Sequence, residues 1–164
     1  MKLSNYQIAA GGLVATFEAE RVVAAPRDRV WEVVSDVAGL AAHAPNLSAS
    51  KVVDGSGEGM VRRCYNNGGQ GWSETCTLWQ PGHRYTMEVD TSDYPYPMRQ
   101  MRGTWAVEDD PGGTRIHVRY EFEPKYGLAG RALAVLMRPV FARTCRKMLD
   151  SYEQALGLRA QPAA

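Results

Sequence analysis

The sequence predicts an α+β domain in which one antiparallel sheet of seven strands packs against a long C-terminal helix. Apolar and polar residues alternate in seven segments between residues 14 and 123, and the turns that join the later segments are so short that they require antiparallel pairing. After Pro124 the apolar residues recur every three or four positions, which is the period of a helix. Since domains average about 150 residues, a chain of 164 residues predicts a single domain.

The first predicted elements are a strand and two short helices. Residues 14–24 alternate as a strand does. Pro26 suits the first turn of a helix, and the apolar spacing of RDRVWEVVSDV predicts that helix over residues 27–37. Gly39 ends it, and a second helix over residues 40–44 should stop before Pro45, because the residue before a proline disfavours helical geometry.

The middle of the chain predicts six further strands in a meander. The segments between them are rich in Gly, Pro, Asn and Asp, as tight turns are: GSGEG, NNGGQG, QPGH, SDYPYP and DDPGG. The predicted strands cover residues 50–54, 58–66, 72–79, 84–91, 99–108 and 114–123.

The last element is a helix predicted over residues 128–156, which would be about 43 Å long. Pro139 lies inside it and predicts a kink or an interruption, because proline lacks the N–H that the helix requires. The predicted single domain covers residues 14–157, with an N-terminal extension over 1–13 and a flexible tail over 158–164. The apolar stripe of the helix consists of Leu128, Leu133, Leu136, Met137, Val140, Phe141, Cys145, Met148, Leu149, Tyr152 and Leu156.

Composition excludes several classes of function. The 19 basic and 18 acidic residues leave a net charge of +1, so the sequence predicts no nucleic-acid partner. The sequence contains no run of about 18 apolar residues, so it predicts no membrane span. The three cysteines are widely spaced, which indicates reduced thiols in a cytoplasmic protein. The three histidines have no ligand spacing and the glycine-rich turns match no phosphate-binding motif, so we expect neither a metal nor another cofactor.

The surplus of large, soft side chains is the main functional observation. Four Trp, eight Tyr and seven Met form either an ordinary core or the lining of a cavity. Strand alternation places many of them on the sheet face toward the helix, where Met137, Phe141 and Met148 lie opposite. The inward strand positions are Trp72, Cys76, Leu78, Tyr85, Met87, Val89, Met101, Trp105, Val107, Ile116, Val118, Tyr120 and Phe122.

Glu74 shares the inward face of its strand with Trp72 and Cys76. A carboxyl group buried among apolar side chains would have a raised pKa. It could act as an acid or base, or orient a ligand hydroxyl. Two alternatives stay open: a β-bulge could shift the register, or Glu74 could pair with an arginine near the mouth of the cavity.

Arg62 and Arg63 are adjacent, so alternation sends one of them to each face of the sheet. The inward arginine could pair with Glu74 or with a ligand carboxylate or enolate. We take Arg63 as the catalytic candidate beside Glu74, with Tyr65 on the same face as a ligand contact. The alternative is a side chain at the sheet rim that keeps its charged end in water.

Two stretches resemble the START-like helix-grip superfamily, and within it the polyketide cyclase/dehydrase and lipid-transport proteins. The first is VVAAPRDRVWEVVSDVAGLAAHAPNLSASKVV, which is similar to the family's first strand and helix pair. The second is GTWAVEDDPGGTRIHVRYEFEPKYGLAGRAL, which is similar to its last hairpin and the start of its long helix. The order and spacing of these motifs extend the resemblance over most of the chain.

The resemblance implies a helix-grip fold, a curved seven-stranded sheet around the C-terminal helix with a hydrophobic cavity between them. It implies that a polyketide, lipid or natural-product intermediate binds there, and we expect a monomer or weak dimer. Tyr94 and Tyr96 lie among prolines in the loop SDYPYPM, and such stiff aromatic loops often cover an entrance; plain loop packing is the alternative. Three alternatives are a polyketide aromatase/cyclase or dehydratase, self-resistance by sequestering a toxic product, and a protein-interaction module. Cyclising relatives present a cation from the central sheet, and here the strand over 72–79 has none. Only Arg62 or Arg63 could supply such a cation from a neighbouring strand.

Overall fold

The computed structural model describes residues 7–9 and 12–158. Within them the chain forms eight strands and three helices in the order strand–strand–helix–helix–six strands–helix. The elements are β1 (Gln7–Ala9), β2 (Gly12–Val23), α1 (Arg27–Val34), α2 (Leu40–His43), β3 (Leu47–Asp54), β4 (Val61–Asn66), β5 (Gly71–Gln80), β6 (Arg84–Val89), β7 (Met98–Asp110), β8 (Gly113–Pro124) and α3 (Gly127–Ala155).

The strands form one antiparallel sheet in the order β1-β2-β8-β7-β6-β5-β4-β3. Strands β3 to β8 are a meander, and β2 returns to pair with β8 over nine residue pairs, from Ala15–Phe122 to Val23–Thr114. The predicted helix-grip fold class and its seven strands are confirmed. The short strand β1 is additional: it falls within the predicted N-terminal extension, and three residues are too few to give a recognisable alternation.

Two of the tight turns depend on particular residues, one through side-chain hydrogen bonds and one through a backbone conformation that favours glycine. Between β4 and β5, the Oδ1 atom of Asn66 accepts hydrogen bonds from the backbone N–H groups of Gly68 and Gln70. Gly113, at the start of β8, has φ of 127°, and a Cβ atom there would lie 2.2 Å from the carbonyl oxygen of Val23. Only glycine fits that position.

The core lies between the inner face of the sheet and the second half of α3. Six of the predicted inward residues on β6, β7 and β8 are at most 2% exposed: Tyr85, Met87, Trp105, Val107, Ile116 and Val118. The helix covers them with Cys145, Met148, Leu149 and Tyr152, which are equally buried. Helix α1 closes one end of this core with Val30 and Val34.

A β-bulge in β5 corrects one inward assignment. The pairing of β5 with β6 shifts register between Cys76 and Leu78. Leu78 therefore leaves the predicted face, and Trp79 packs against the rings of Trp31 and Tyr85 instead. The bulge follows Glu74, so Glu74 keeps its inward position.

The two short helices are tied to the sheet and to α3. Helix α1 ends at Val34, three residues before the predicted end, and the Asp36 carboxylate accepts a hydrogen bond from the N–H of Gly39. His43, at the end of α2, lies 2.9 Å through Nδ1 from the Ser151 hydroxyl. This contact joins α2 to α3.

The long helix departs from prediction in its first half. It is continuous through Pro139, so the predicted interruption does not occur. Its first half is poorly covered: Leu128, Leu133, Leu136 and Val140 are exposed, although the sequence pattern placed them on a buried stripe. No helix in the described part of the chain is long and apolar enough to cross a membrane.

Candidate functional site

A cavity of about 290 Å³ lies where the first half of α3 passes over the ends of β7 and β8. We call it the α3 cavity. The segment that connects β6 to β7 forms its third side through Tyr94 and Tyr96. Its lining consists of Asn46, Tyr94, Tyr96, Pro97, Met98, Met101, Tyr120, Phe122, Pro124, Gly130, Leu133, Met137, Val140, Phe141, Thr144 and Cys145.

Among the described residues that line the α3 cavity, none has a charged side chain. Aromatic rings and thioethers dominate it, and the ring of Phe141 on α3 stacks on Phe122 of β8 with centroids 5.7 Å apart. A wall of this composition is suited to apolar and aromatic groups rather than to ions.

A few polar groups interrupt the apolar lining. The hydroxyl of Tyr94 donates a hydrogen bond to Sδ of Met101 at 3.1 Å. Burial raises the pKa of both Tyr94 and Tyr120, so both hydroxyls stay protonated and uncharged at neutral pH. Burial also raises the pKa of the Cys145 thiol to about 12. The polar groups of the cavity can therefore make hydrogen bonds without adding charge.

Directly behind this lining lies a buried ion pair between Arg62 on β4 and Glu74 on β5. The two residues are cross-strand neighbours in the register, so their side chains share the inward face. Oε2 of Glu74 accepts hydrogen bonds from Nη2 and Nε of Arg62 at 2.6 and 3.1 Å. Oε1 accepts one from Nε1 of Trp72 at 2.7 Å. Both carboxylate oxygens are thus occupied by donors.

Arg62 is the more buried partner, with a side chain only 1% exposed. Burial is the largest single influence and lowers its pKa, but the charge and hydrogen bonds of Glu74, together with Cys64 and Tyr85, outweigh burial and hold the pKa above the ordinary value. Its Nη1 atom is buried and has no hydrogen-bond partner among the described residues. The guanidinium lies 5.8 Å from the Trp105 ring centroid. Arg62 therefore keeps one donor available in the interior.

The ion pair is next to the cavity wall. Tyr94 lies against Trp72, edge to face, with ring centroids 5.2 Å apart. The charge of Glu74 adds to the upward pKa shifts of both Tyr94 and Tyr120. Tyr94 and Trp72 thus connect the wall of the α3 cavity to the Arg62–Glu74 pair.

Arg63 and Tyr65 do not lie in the site, and their assignment to the cavity was wrong. Both are on the outer face of β4, where the Arg63 guanidinium bonds Ser73 and Asp93 and lies 5.8 Å from the Tyr65 ring centroid. Alternation left open which arginine turns inward, and the pairing of β4 with β5 settles it in favour of Arg62.

The other predicted ligand contacts divide into two groups. Five of them line the α3 cavity: Met101, Tyr120, Phe122, Met137 and Phe141. The remainder are buried in the core or around the ion pair and do not line it: Trp72, Glu74, Cys76, Tyr85, Met87, Trp105 and Met148. Tyr85, for example, stacks on Trp105 and donates its hydroxyl proton to the carbonyl oxygen of Val34.

Several lining residues were absent from the predicted site. Leu133, Val140 and Cys145 belong to the apolar stripe recognised in the helix, so a signal for them existed. Asn46, Met98 and Thr144 carried no such signal, because their place in the cavity depends on how α3 and the loops pack. Within the described residues there is no cluster of three His, Cys, Asp or Glu side chains that could hold a metal ion.

Solved structures share this fold, whereas no curated protein matches the sequence. A protein from Thermus thermophilus has a TM-score of 0.70 at 21% identity, over 89% of this chain and 99% of that one. The Zhui aromatase/cyclase from a Streptomyces species has a TM-score of 0.69 at 19% identity, over 90% and 96%. Ara h 8.0201 has a TM-score of 0.64 at 16% identity, over 89% and 99%. At these identities the similarity shows the fold alone.

A family model gives the more specific result. The model described as polyketide cyclase / dehydrase and lipid transport matches residues 14–157, which include both walls of the α3 cavity and the Arg62–Glu74 pair. The resemblance stated from the sequence is thereby confirmed. The chain belongs to the polyketide cyclase/dehydrase and lipid transport family.

Proposed function

We propose that this protein binds an uncharged hydrophobic small molecule in the α3 cavity, such as a polyketide, a lipid or a natural-product intermediate. The observation that carries this proposal is the described lining, whose residues are mostly apolar, partly aromatic and all uncharged. A charged group placed there would lose its hydration without gaining a partner. The volume of about 290 Å³ is at the lower end of the range for small-molecule sites.

A pair of fluorescent probes tests this proposal. N-phenyl-1-naphthylamine is neutral, and its 8-sulfonate has the same ring skeleton with one negative charge. We expect the neutral probe to bind at least about tenfold more tightly, because the sulfonate would be desolvated among uncharged groups. Equal affinity for the two probes, or no binding of either, would overturn the proposal.

Two tryptophan substitutions on α3 locate the bound probe. Met137→Trp adds a large ring to the lining of the cavity, and we expect it to reduce probe affinity at least about tenfold by filling the space. Leu128→Trp adds the same ring at a position that is 78% exposed and outside the lining. It is the matched control and should leave affinity unchanged. Equal loss in both variants would place the probe elsewhere.

Arg62 supports a second candidate function, that of an aromatase/cyclase. In a cyclisation of a poly-β-keto chain, a carbanion carbon attacks a carbonyl carbon, and the electron pair of the C=O bond moves onto oxygen. The buried guanidinium of Arg62, with Nη1 unpaired among the described residues, is a donor that could stabilise that oxyanion. Glu74, whose oxygens accept from Arg62 and Trp72, would act as a positioning residue.

Turnover of a poly-β-keto substrate separates the two candidate functions. If the protein is a cyclase, Arg62→Lys should lower kcat by about a hundredfold while the neutral probe still binds. Glu74→Gln should lower kcat with a smaller effect on probe binding, since it acts through Arg62. A protein that binds the substrate and returns it unchanged refutes the enzymatic candidate and leaves the binding proposal intact.

A further inference from the structure

The outer side of the first half of α3 is apolar and uncovered. Leu128 is 78% exposed, Leu136 72% and Val140 52%, and Tyr126, just before the helix, is 73% exposed. The described exposed positions from Leu128 to Val140 are all apolar: Leu128, Ala129, Ala132, Leu133, Val135, Leu136, Pro139 and Val140. We call this surface the outer apolar face. Soluble helices normally carry charged and polar residues at such positions.

The charge of this part of the chain is unusual as well. Residues 124–149 contain no Asp or Glu but six Lys or Arg, although the whole chain carries a net charge of only +1. Arg143, Arg146 and Lys147 are exposed and continue the outer side of the helix after Val140. Arg143 and Lys147 also line a shallow groove that shares Asn46, Val140 and Thr144 with the α3 cavity.

These two features lie in sequence along one side of the helix. From Leu128 to Val140 the outer apolar face is roughly 18 Å long, at 1.5 Å per residue. The basic residues follow within the next two turns. An aliphatic strip that ends in cations is the pattern of a helix that lies in a membrane surface, with apolar side chains among the acyl chains and cations at the phosphates.

We propose that the outer apolar face docks on the surface of a membrane that contains anionic phospholipids. A lipid surface fits better than a protein partner, because protein interfaces contain regular hydrogen bonds, whereas the described side chains that are exposed from Leu128 to Val140 have no polar atom. Tyr126 and Tyr96, both exposed beside the strip, suit the headgroup level, where amphipathic aromatic rings accumulate.

Docking in this way would bring the α3 cavity to the lipid. The same helical segment forms one wall of the cavity with Leu133, Met137 and Val140, so a hydrophobic molecule could pass between membrane and cavity with little exposure to water. The docking itself does not depend on the proposed ligand. It can therefore be tested without one.

Vesicle co-sedimentation of the full chain is the test. We expect binding to phosphatidylcholine vesicles that contain phosphatidylglycerol, weaker binding to phosphatidylcholine alone, and a decrease as salt is raised. Leu136→Glu should lower the partition coefficient at least about tenfold, because one buried leucine is replaced by a charge. Arg143→Gln and Lys147→Gln should each lower it by about fivefold.

Matched substitutions elsewhere serve as controls. Val53→Glu changes another exposed aliphatic residue on β3, and Lys51→Gln removes a cation from the same strand. Both should bind vesicles as the wild type does, and circular dichroism should show all variants folded, since every altered side chain is exposed.

Three results would overturn the proposal. The first is that the wild type does not bind anionic vesicles. The second is that Leu136→Glu binds them as well as the wild type does. The third is that the wild type sediments as a dimer that Leu136→Glu dissociates, because a second copy would then cover the outer apolar face. A wild-type protein that binds the neutral probe normally but does not bind anionic vesicles would refute docking alone. The reverse result would refute the cavity and leave docking intact.

Discussion

Glu74→Gln is the substitution that most directly tests the buried ion pair. The change keeps the size and shape of the side chain and removes its charge. The glutamine carbonyl oxygen can accept from Arg62 or from Trp72, whereas the carboxylate accepts from both through two oxygens. The guanidinium of Arg62 would then be a buried cation without a counter-ion.

The expected loss follows from that burial. Removing one partner of a buried ion pair destabilises a protein by about 3–5 kcal/mol. A domain of this kind has about 5–15 kcal/mol of folding stability in total, so the loss is a large share of it. The exposed pair between Arg27 and Asp109 has a similar length, 3.1 Å, but Asp109 is 76% exposed. Asp109→Asn, the matched control, should cost less than about 1 kcal/mol.

Urea unfolding, monitored by tryptophan fluorescence, measures these differences in the free energy of unfolding from the midpoint and the slope of each unfolding curve. The double variant Arg62→Met with Glu74→Gln should be more stable than Glu74→Gln by about 2 kcal/mol or more, because it removes the orphaned charge and keeps an acceptor for Trp72. A cost for Glu74→Gln as small as that of Asp109→Asn would refute the inference that the pair is buried and mutually dependent.

Three further predictions concern stability and thiol chemistry. Pro139→Ala should stabilise the fold by about 2 kcal/mol in urea unfolding, since it restores a helical N–H donor; no change would contradict this. Burial lowers the pKa of His43, partly offset by Asp36, so stability should fall as pH drops through about 6.5, where the unfolded chain takes up the proton first. His43→Gln should lack that part of the pH dependence, and an identical profile would contradict the assignment. Burial raises the pKa of Cys64 and Cys145 to about 12, so neither thiol should react with dithiobis-nitrobenzoate at pH near 8 until urea unfolds the chain, and rapid native labelling would disprove this burial.

The sequence predicted the fold because both periodicities have a physical cause. Side chains of a strand alternate between its faces, and the core of a two-layer domain requires one apolar face. Ile116 and Val118 on β8 were therefore assigned correctly, and so was the inward position of Glu74. The Pro- and Gly-rich turns placed the strand boundaries within a few residues.

Alternation alone could not choose between Arg62 and Arg63, because each shares its face with apolar neighbours. The choice depends on which residue of β4 lies beside which residue of β5, and that register is a tertiary property. Once Arg62 is opposite Glu74, the two must share a face. The inward position of Glu74 would then have predicted a buried ion pair.

The helix shows a different limit of sequence reasoning. Periodicity reports which residues of α3 share a side, but it does not report whether anything covers that side. Cys145 and Met148 are covered by the sheet, whereas Leu128 and Leu136 lie on the uncovered outer side of the helix. The α3 cavity arises in this region, so its complete lining could not be derived from the apolar stripe alone.

The most direct measurement of the central proposal is methionine ε-methyl NMR during titration with the neutral naphthylamine. Met98, Met101 and Met137 line the α3 cavity, while Met60 and Met87 are buried elsewhere and serve as internal references. We expect shifts and intermolecular NOEs at the three lining methyl groups and none at the two references. Saturable binding that leaves the lining methyl groups unperturbed would contradict a ligand site in this cavity.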